Sequence, residues 1–353
     1  MPPSRPGGPL RHSYAILEAP SALGHIPEHR GVERAPGVLL EAGLADGLSA
    51  RRAGCLPADG YSSVPDPRTK VMNPQPLHDY SILLADQIEA ILDNGEFPVV
   101  LGGDCSLLLG TTLALRRRGR YGVLYIDGDA DFYQPGVNPL HGAASASDLA
   151  FATGRGPDIV CDLEGKRPLV RDGDVAVLAC RDADDRERRG CQPLPPDMLV
   201  LDREHVRQAG AEGAARQTVT FLSRDGGPPH GFWIHLDADV FDETIMQSVD
   251  DPRPDGLSWD EGIAVLRTAI ASSRAAGLQV AIYNPDIDKK TTGVVTERHR
   301  RPGRACAISA VTCGSRVSVV AHVERLDLAV RSQRYLRCQR AAADNWLAGP
   351  GAW

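Results

Sequence analysis

Short apolar runs alternate with amphipathic segments along most of the chain. Seven runs are brief enough to predict buried strands: residues 13–18, 98–101, 122–126, 175–179, 198–201, 231–236 and 278–283. Residues 77–92, 107–118 and 259–275 carry apolar positions at helical spacing. Alternating strands and helices predict a parallel sheet covered on both faces. The expected fold class is α/β, a three-layer α/β/α domain around a mainly parallel central sheet.

Local signals set some element boundaries. Asn94-Gly95 ends the helix over 77–92, and Ser258 with Glu261 predicts a capping box at the start of the helix over 259–275. Without a repeat or a clear linker, we expect one domain over 13–288. Residues 1–12 are expected to be a disordered leader, and residues 289–353 an extension without a defined pattern. Within that extension, 317–323 is a candidate strand and 326–341 a candidate helix.

Composition narrows the functional classes. The 353 residues carry a formal net charge of −7, which argues against nucleic acid and anionic membranes as partners. Apolar runs are shorter than the roughly 18 residues that span a membrane. The eight cysteines are scattered without a CxxC pair, which favours reduced thiols and a cytoplasmic location. A small-molecule substrate is the expected partner.

Two acidic clusters follow apolar runs. Asp127, Asp129 and Asp131 stand at alternate positions, as do Asp237 and Asp239. Alternate residues of an extended segment face the same side, so the carboxylates would converge and repel one another. One or two divalent cations would neutralise them, which points to metal-assisted hydrolysis. The competing interpretation is a set of solvated loop carboxylates.

A third segment belongs to the same edge of the predicted sheet. Gly102-Gly103-Asp104-Cys105-Ser106 follows a strand and opens a helix, and ligands of open α/β sheets bind beyond the strand carboxyl ends. Cys105 is therefore either a metal ligand or a buried, inert thiol. With the two acidic clusters, this segment resembles the ureohydrolase family of arginases and agmatinases. That family carries GGDHS, DAHxD and DxDxxDP motifs in the same order.

The resemblance implies a binuclear Mn²⁺ site. One ion would bind Cys105, Asp127, Asp131 and Asp237, and the other Asp127, Asp129, Asp237 and Asp239. A metal-bridging hydroxide would attack a guanidino or amidino carbon and break a linear C–N bond. The family also implies a homo-oligomer, either a trimer or a hexamer.

Three departures from the family pattern bear on activity. Cys105 and Asp129 stand where the motifs have histidine, and a thiolate favours Zn²⁺ or Co²⁺ over Mn²⁺. Ile282 stands where the family usually has a glutamate that grips the guanidinium, and an apolar side chain cannot pair with a cation.

Other segments resemble the substrate side of arginases. Asp184 and Glu187 match acidic residues that hold the substrate amino group. Asn138 belongs to a loop that resembles one carrying a proton-shuttling histidine, here His141. Asp131 and His141 are thus the catalytic candidates, and Asp184, Glu187 and Asn138 the substrate-binding candidates.

Two alternatives stay open. Loss of both histidine ligands and of the glutamate is what a catalytically impaired homologue would show, acting as a binding or scaffold protein. A Cys105 nucleophile for acyl transfer is a further enzymatic alternative, but the sequence fixes no histidine beside it.

Overall fold

A single eight-stranded parallel sheet organises the chain. The structure is a computed structural model that describes residues 13–138, 140 and 142–287. The strands are β1 (Tyr14–Ala19), β2 (Arg51–Cys55), β3 (Phe97–Gly102), β4 (Gly122–Ile126), β5 (Val175–Leu178), β6 (Leu199–Leu201), β7 (Phe232–Asp237) and β8 (Ala275–Ala281). Their order in the sheet is β2-β1-β3-β8-β7-β4-β5-β6, and every pairing is parallel.

Helices connect successive strands and cover both faces of the sheet. They are α1 (Ala35–Glu41), α2 (Leu44–Leu48), α3 (Pro74–Asp93), α4 (Leu107–Arg118), α5 (Asp148–Ala152), α6 (Asp158–Cys161), α7 (Ala183–Arg188), α8 (Arg203–Ala209), α9 (Ala211–Leu222) and α10 (Trp259–Ala271). Among the described residues, no helix is both long and apolar enough to cross a membrane.

Two hydrophobic cores separate the three layers. On β4, Leu124 and Ile126 pack with the core that includes α9 and α10, while Val123 and Tyr125 pack with α3 and α4. The alternation follows from the two-residue period of a strand. Both faces of the central strands are apolar, as expected for a parallel sheet between helical layers. The predicted α/β/α fold class is therefore confirmed.

Strand and helix boundaries show what the pattern predicts well and poorly. The capping box at Ser258 and Glu261 is present, but α10 ends at Ala271, so the prediction of a helix to residue 275 was wrong. Strand β2 was not predicted because it is exposed and lacks an apolar run. It lies at the edge of the sheet, where Arg51 forms an ion pair with Glu96. Residues 1–12 and 288–353, including the candidates at 317–323 and 326–341, lie outside the described residues.

The turn after β3 is fixed by close backbone packing. A side chain at Gly103 would place its Cβ 1.7 Å from the carbonyl oxygen of Ser21. Asp104 N donates to that same oxygen at 3.0 Å. The Asp104 carboxylate accepts from Gly24 N and Ser106 N at 3.0 and 2.9 Å. Only glycine at position 103 allows the backbone to come this close to Ser21. The turn brings Cys105, two residues later, to the edge where β4 and β7 end.

Candidate metal centre

Strand register sets the carboxylates of Asp127 and Asp237 side by side. Ile126 of β4 pairs with Leu236 of β7, so the residue that follows each partner reaches the same level of the sheet. Both aspartates are almost fully buried. The floor of a cavity of about 340 Å³ lies at this edge.

Turn geometry directs one oxygen of each carboxylate into the structure and leaves the other free for the site. Asp127 Oδ1 accepts from Asp129 N at 2.8 Å, and Asp237 Oδ1 accepts from Asp239 N at 2.6 Å. Asp127 Oδ2 is buried without a hydrogen-bond partner. The backbone after each strand thus holds the two carboxylates in matching orientations.

Cys105 joins this pair as a thiol. Its Sγ–H donates to Asp237 Oδ2 at 2.7 Å. Burial raises the pKa of Cys105 well above its ordinary value, and the neighbouring Asp237 and Asp131 raise it further. Sγ lies within 4.8 Å of the candidate ligand atoms of Asp127, His235 and Asp237. The residue is therefore placed as a ligand would be, in its protonated form before any cation enters.

Asp131 and Asp148 share the hydroxyl of Tyr125. The Tyr125 oxygen lies 2.8 Å from Asp131 Oδ2 and 2.9 Å from Asp148 Oδ1. One hydroxyl proton can satisfy only one of the two contacts, so a proton on one carboxyl would be needed to satisfy the other. Burial raises the pKa of both aspartates well above the ordinary value. Asp131 also adopts a φ of 44°, a strained backbone found preferentially at functional sites.

Asp129 and Asp239 occupy more polar positions. Asp239 Oδ1 accepts from Gly128 N at 3.1 Å, and Arg181 donates to the Asp239 carbonyl at 2.8 Å. Asp129 pairs with Arg253, whose Nη1 lies 3.1 Å from Oδ1. Arg253 comes from the loop between β7 and α10. Asp129 therefore has a protein cation as a partner already.

His235 is fixed by Gln279 and faces Asp127. Trp233 Nε1 and the Thr111 hydroxyl both donate to Gln279 Oε1, at 3.1 and 2.8 Å. Gln279 Nε2 consequently donates to His235 Nδ1 at 2.8 Å. Burial lowers the pKa of His235 to about 3, so the ring is neutral and carries its proton on Nε2. That nitrogen faces Asp127 Oδ2 at 3.5 Å.

Burial makes full ionisation of the cluster unfavourable without a cation. Burial raises the pKa of Asp127 to about 7 and raises those of Asp129, Asp237 and Asp239 well above the ordinary value. Neighbouring carboxylates add to the effect at Asp129, Asp237 and Asp239. Oxygen donors that lack partners and repel one another fit one or more divalent cations.

The residues predicted to bind substrate, Asp184, Glu187 and Asn138, do not line the cavity. Asp184 and Glu187 are exposed, and their neighbour Asp185 lines the cavity instead. The Asn138 side chain is engaged by its own loop, donating to Ala143 O at 2.7 Å and accepting from Leu140 N at 2.8 Å. His141 lies outside the described residues. Their roles stay predictions.

Ile282 lines the cavity directly after β8. It is 4% exposed and has a φ of 67°, while its N–H donates to Gly103 O at 2.8 Å. An isoleucine in the left-handed region is unusual because its branched Cβ clashes with the backbone there. The side chain is thus held at the cavity wall by the same turn that positions Cys105.

Several residues in or beside the site were missed from the sequence. Asp148, Asp250 and Arg253 belong to loops or short helices without a recognisable motif. Asp148 opens α5, and the other two come from the segment after β7. Each reaches the site through the folding of distant segments, so local pattern carried no signal for them.

The architecture and donor set define a class: α/β proteins with a cation site at the carboxyl ends of parallel strands. The chain matches the Arginase family over residues 12–299, and it belongs to that family. The resemblance to ureohydrolases is thereby confirmed. The family and its arginase relatives support a hydrolase of the ureohydrolase type.

Individual relatives agree with this assignment. The chain is 24% identical to an arginase from Bacillus subtilis (strain 168) over 285 residues, covering 79% of this chain and 92% of that protein. It is 26% identical to human Arginase-1 over 289 residues, covering 78% and 86%. The solved arginase from Bacillus caldovelox superposes with a TM-score of 0.72 at 19% identity, covering 90% of this chain and 98% of that one.

Proposed function

We propose that the protein hydrolyses a linear C–N bond in a small guanidino or amidino compound with divalent cations bound at the carboxylate cluster. One observation carries the proposal: ligand atoms of Asp127, Asp237 and Cys105 lie within 4.8 Å of one another, at the edge where Asp237 and Cys105 line the cavity. The donors proposed for two ions are Cys105, Asp127, Asp129, Asp131, Asp237 and Asp239. Oxygen donors favour Mn²⁺, while the Cys105 sulfur favours Zn²⁺ or Co²⁺.

Bound divalent cations would neutralise the cluster and activate water for attack on the amidino carbon. The chain's own residues prepare the site for them. The backbone N–H groups of Asp129 and Asp239 hold one oxygen each of Asp127 and Asp237, and His235 Nε2 faces the other oxygen of Asp127 at 3.5 Å. A proton held among Asp131, Tyr125 and Asp148 would have to leave before Asp131 could act as an anionic donor.

The charges that line the cavity support a cationic substrate. Asp185, Asp250 and Asp251 add three carboxylates to those of the cluster, against the guanidinium groups of Arg189 and Arg253. Because Ile282 offers no charge, we propose that Asp185 takes the cationic part of the substrate. Asp184, Glu187 and Asn138 remain candidates for other substrate contacts, and His141 for proton transfer.

The test combines metal analysis with turnover. The purified full chain is loaded with Mn²⁺, Zn²⁺ or Co²⁺, and release of urea, ammonia or amine is followed for a panel of guanidino and amidino compounds. Asp237→Asn should remove turnover together with the metal bound at the carboxylate cluster. Asp93→Asn, an exposed aspartate on α3, is the matched control. Absence of both metal and turnover in the wild type would instead favour the non-catalytic, scaffold function.

Cellular context and assembly extend this proposal. The described cysteines, Cys55, Cys105, Cys161, Cys180 and Cys191, are free thiols, which supports a reducing, cytoplasmic environment. We propose a homo-oligomer, a trimer or hexamer as family membership suggests. Sedimentation of the purified chain measures the assembly directly.

A further inference from the structure

Three ligand-type side chains converge on the cavity wall away from the carboxylate cluster. His25 Nε2, His29 Nδ1 and Asp250 Oδ2 all lie within 4.8 Å of one another. His29 is the last residue of a short 3₁₀ helix, Pro27–His29, and His25 precedes that helix. Asp250 lies in the loop between β7 and α10. None of the three belongs to the ligand groups around Cys105.

The converging atoms are buried. His25 Nε2 lies 2.6 Å from Asp250 Oδ2, the distance of an ion pair, and His29 Nδ1 lies 3.8 Å from the same oxygen. His25 is only 2% exposed. Two imidazole nitrogens therefore face one carboxylate oxygen in a buried place, an arrangement of donors that fits a divalent cation.

The environment of His25 suits a metal ligand. Its Nδ1 lies 3.0 Å from the hydroxyl oxygen of Ser145, and Ser145 is tethered by its own N–H to Gly24 O at 3.2 Å. An imidazole that binds a metal normally donates its second N–H to such an acceptor. Nε2 faces Asp250, and a cation bound there would take the place of a proton held between the two groups.

A proton shared between His25 and Asp250 is the competing explanation. It accounts for that pair but gives His29 Nδ1 no reason to turn towards the same carboxylate oxygen. Two imidazoles with one carboxylate form a donor set that late first-row transition metals prefer, whereas the cluster around Asp127 is dominated by oxygen. The two groups therefore differ in the kind of donor that they offer.

We propose that His25, His29 and Asp250 bind one divalent transition-metal ion, with Zn²⁺ as the representative case, separately from the carboxylate centre. The ion would add positive charge to the wall of an otherwise acidic cavity.

Metal stoichiometry tests this proposal independently of turnover. The full chain is stripped with a chelator and titrated with Zn²⁺, and with Co²⁺, whose visible absorption reports nitrogen ligands. His29→Gln is the first variant because this side chain is partly exposed. His78→Gln, an equally accessible histidine on α3, is the matched control. We expect His29→Gln and Asp250→Asn each to lose one ion per chain, and His78→Gln none.

A second background separates this site from the proposed catalytic centre. The double variant Asp127→Asn/Asp237→Asn should still bind one ion per chain, at His25, His29 and Asp250. Adding His29→Gln to that variant should remove this ion. If His29→Gln and Asp250→Asn bind as many ions as the wild type, the proposal is overturned. Anomalous scattering from wild-type crystals soaked in Zn²⁺ checks it without any variant: a peak bonded to His25 Nε2 supports it, and none there contradicts it.

Discussion

Arg253 and Asp129 form an ion pair across the cavity, with Nη1 3.1 Å from Oδ1. Arg253 also contacts Asp185 and Asp251. The guanidinium therefore competes with any cation for the Asp129 carboxylate. This pairing gives the Asp129 carboxylate a positively charged partner within the protein.

Removing the Arg253 charge should strengthen metal binding. In Arg253→Gln, Asp129 loses its protein cation, and we expect affinity for Mn²⁺ to rise about tenfold, equivalent to roughly 1.4 kcal/mol. Calorimetric titration measures the change. Arg118→Gln, which removes an exposed pairing with Asp93, should leave the affinity unaltered. An unchanged or weaker affinity in Arg253→Gln would contradict the competition.

The hydrogen bonds of Gln279 should contribute substantially to stability. Gln279→Met removes the acceptor of Trp233 Nε1 and the donor to His235 Nδ1, and leaves both buried. We expect the free energy of unfolding to fall by about 2–3 kcal/mol, measured by urea denaturation. The control Gln87→Met changes an exposed glutamine of α3 and should have little effect. Equal stabilities of the two variants would show that the network is not structural.

Chelated protein should lose stability from Asp127 as pH rises. Burial raises the pKa of Asp127 from 3.8 to about 7 in the folded protein. Between roughly pH 4 and 7 the folded state therefore holds a proton that the unfolded state has released, so stability falls with rising pH.

The comparison is with Asp127→Asn, which cannot titrate. Over that pH range, the wild type should lose on the order of 2 kcal/mol relative to the variant, followed by denaturant unfolding in EDTA. Adding Mn²⁺ should reverse the loss in the wild type only. Parallel pH profiles for both proteins would show that Asp127 titrates normally.

Ile282→Glu should improve recognition of a guanidinium. A carboxylate at this wall would pair with the cation, and we expect about tenfold tighter binding of guanidinium ion by calorimetry. Stability should fall because another carboxylate is buried among aspartates. Ile282→Gln has the same shape without the charge and is the control. If both variants bind guanidinium equally, charge at this position is not what limits recognition.

The sequence predicted the parts of the structure that depend on local pattern. The acidic residues follow directly after strands β4 and β7 in the sequence. The apolar runs predicted the strands, and the aspartates that follow predicted the site. Arg253 and Asp129 are 124 residues apart, and no local signal links them. The exposed β2 lacks the apolar run that marked the other strands.

Side-chain roles at the site depended on neighbours that the sequence does not specify. Asp148 contributes through a tyrosine hydroxyl on β4 that it shares with Asp131. His235 shares strand parity with Asp237, yet its role is fixed by Gln279 on the adjacent β8. Such relations become visible only when strand order is known.

The contact between Gly103 and Ser21 constrains redesign of the cavity. Because the backbone at Gly103 is packed against Ser21, we expect the main chain at residue 105 to keep its position when the side chain there is replaced. Replacing Cys105 with histidine would therefore extend a donor towards Asp237 over a fixed base, so coordination distances there can be tuned by side-chain length alone.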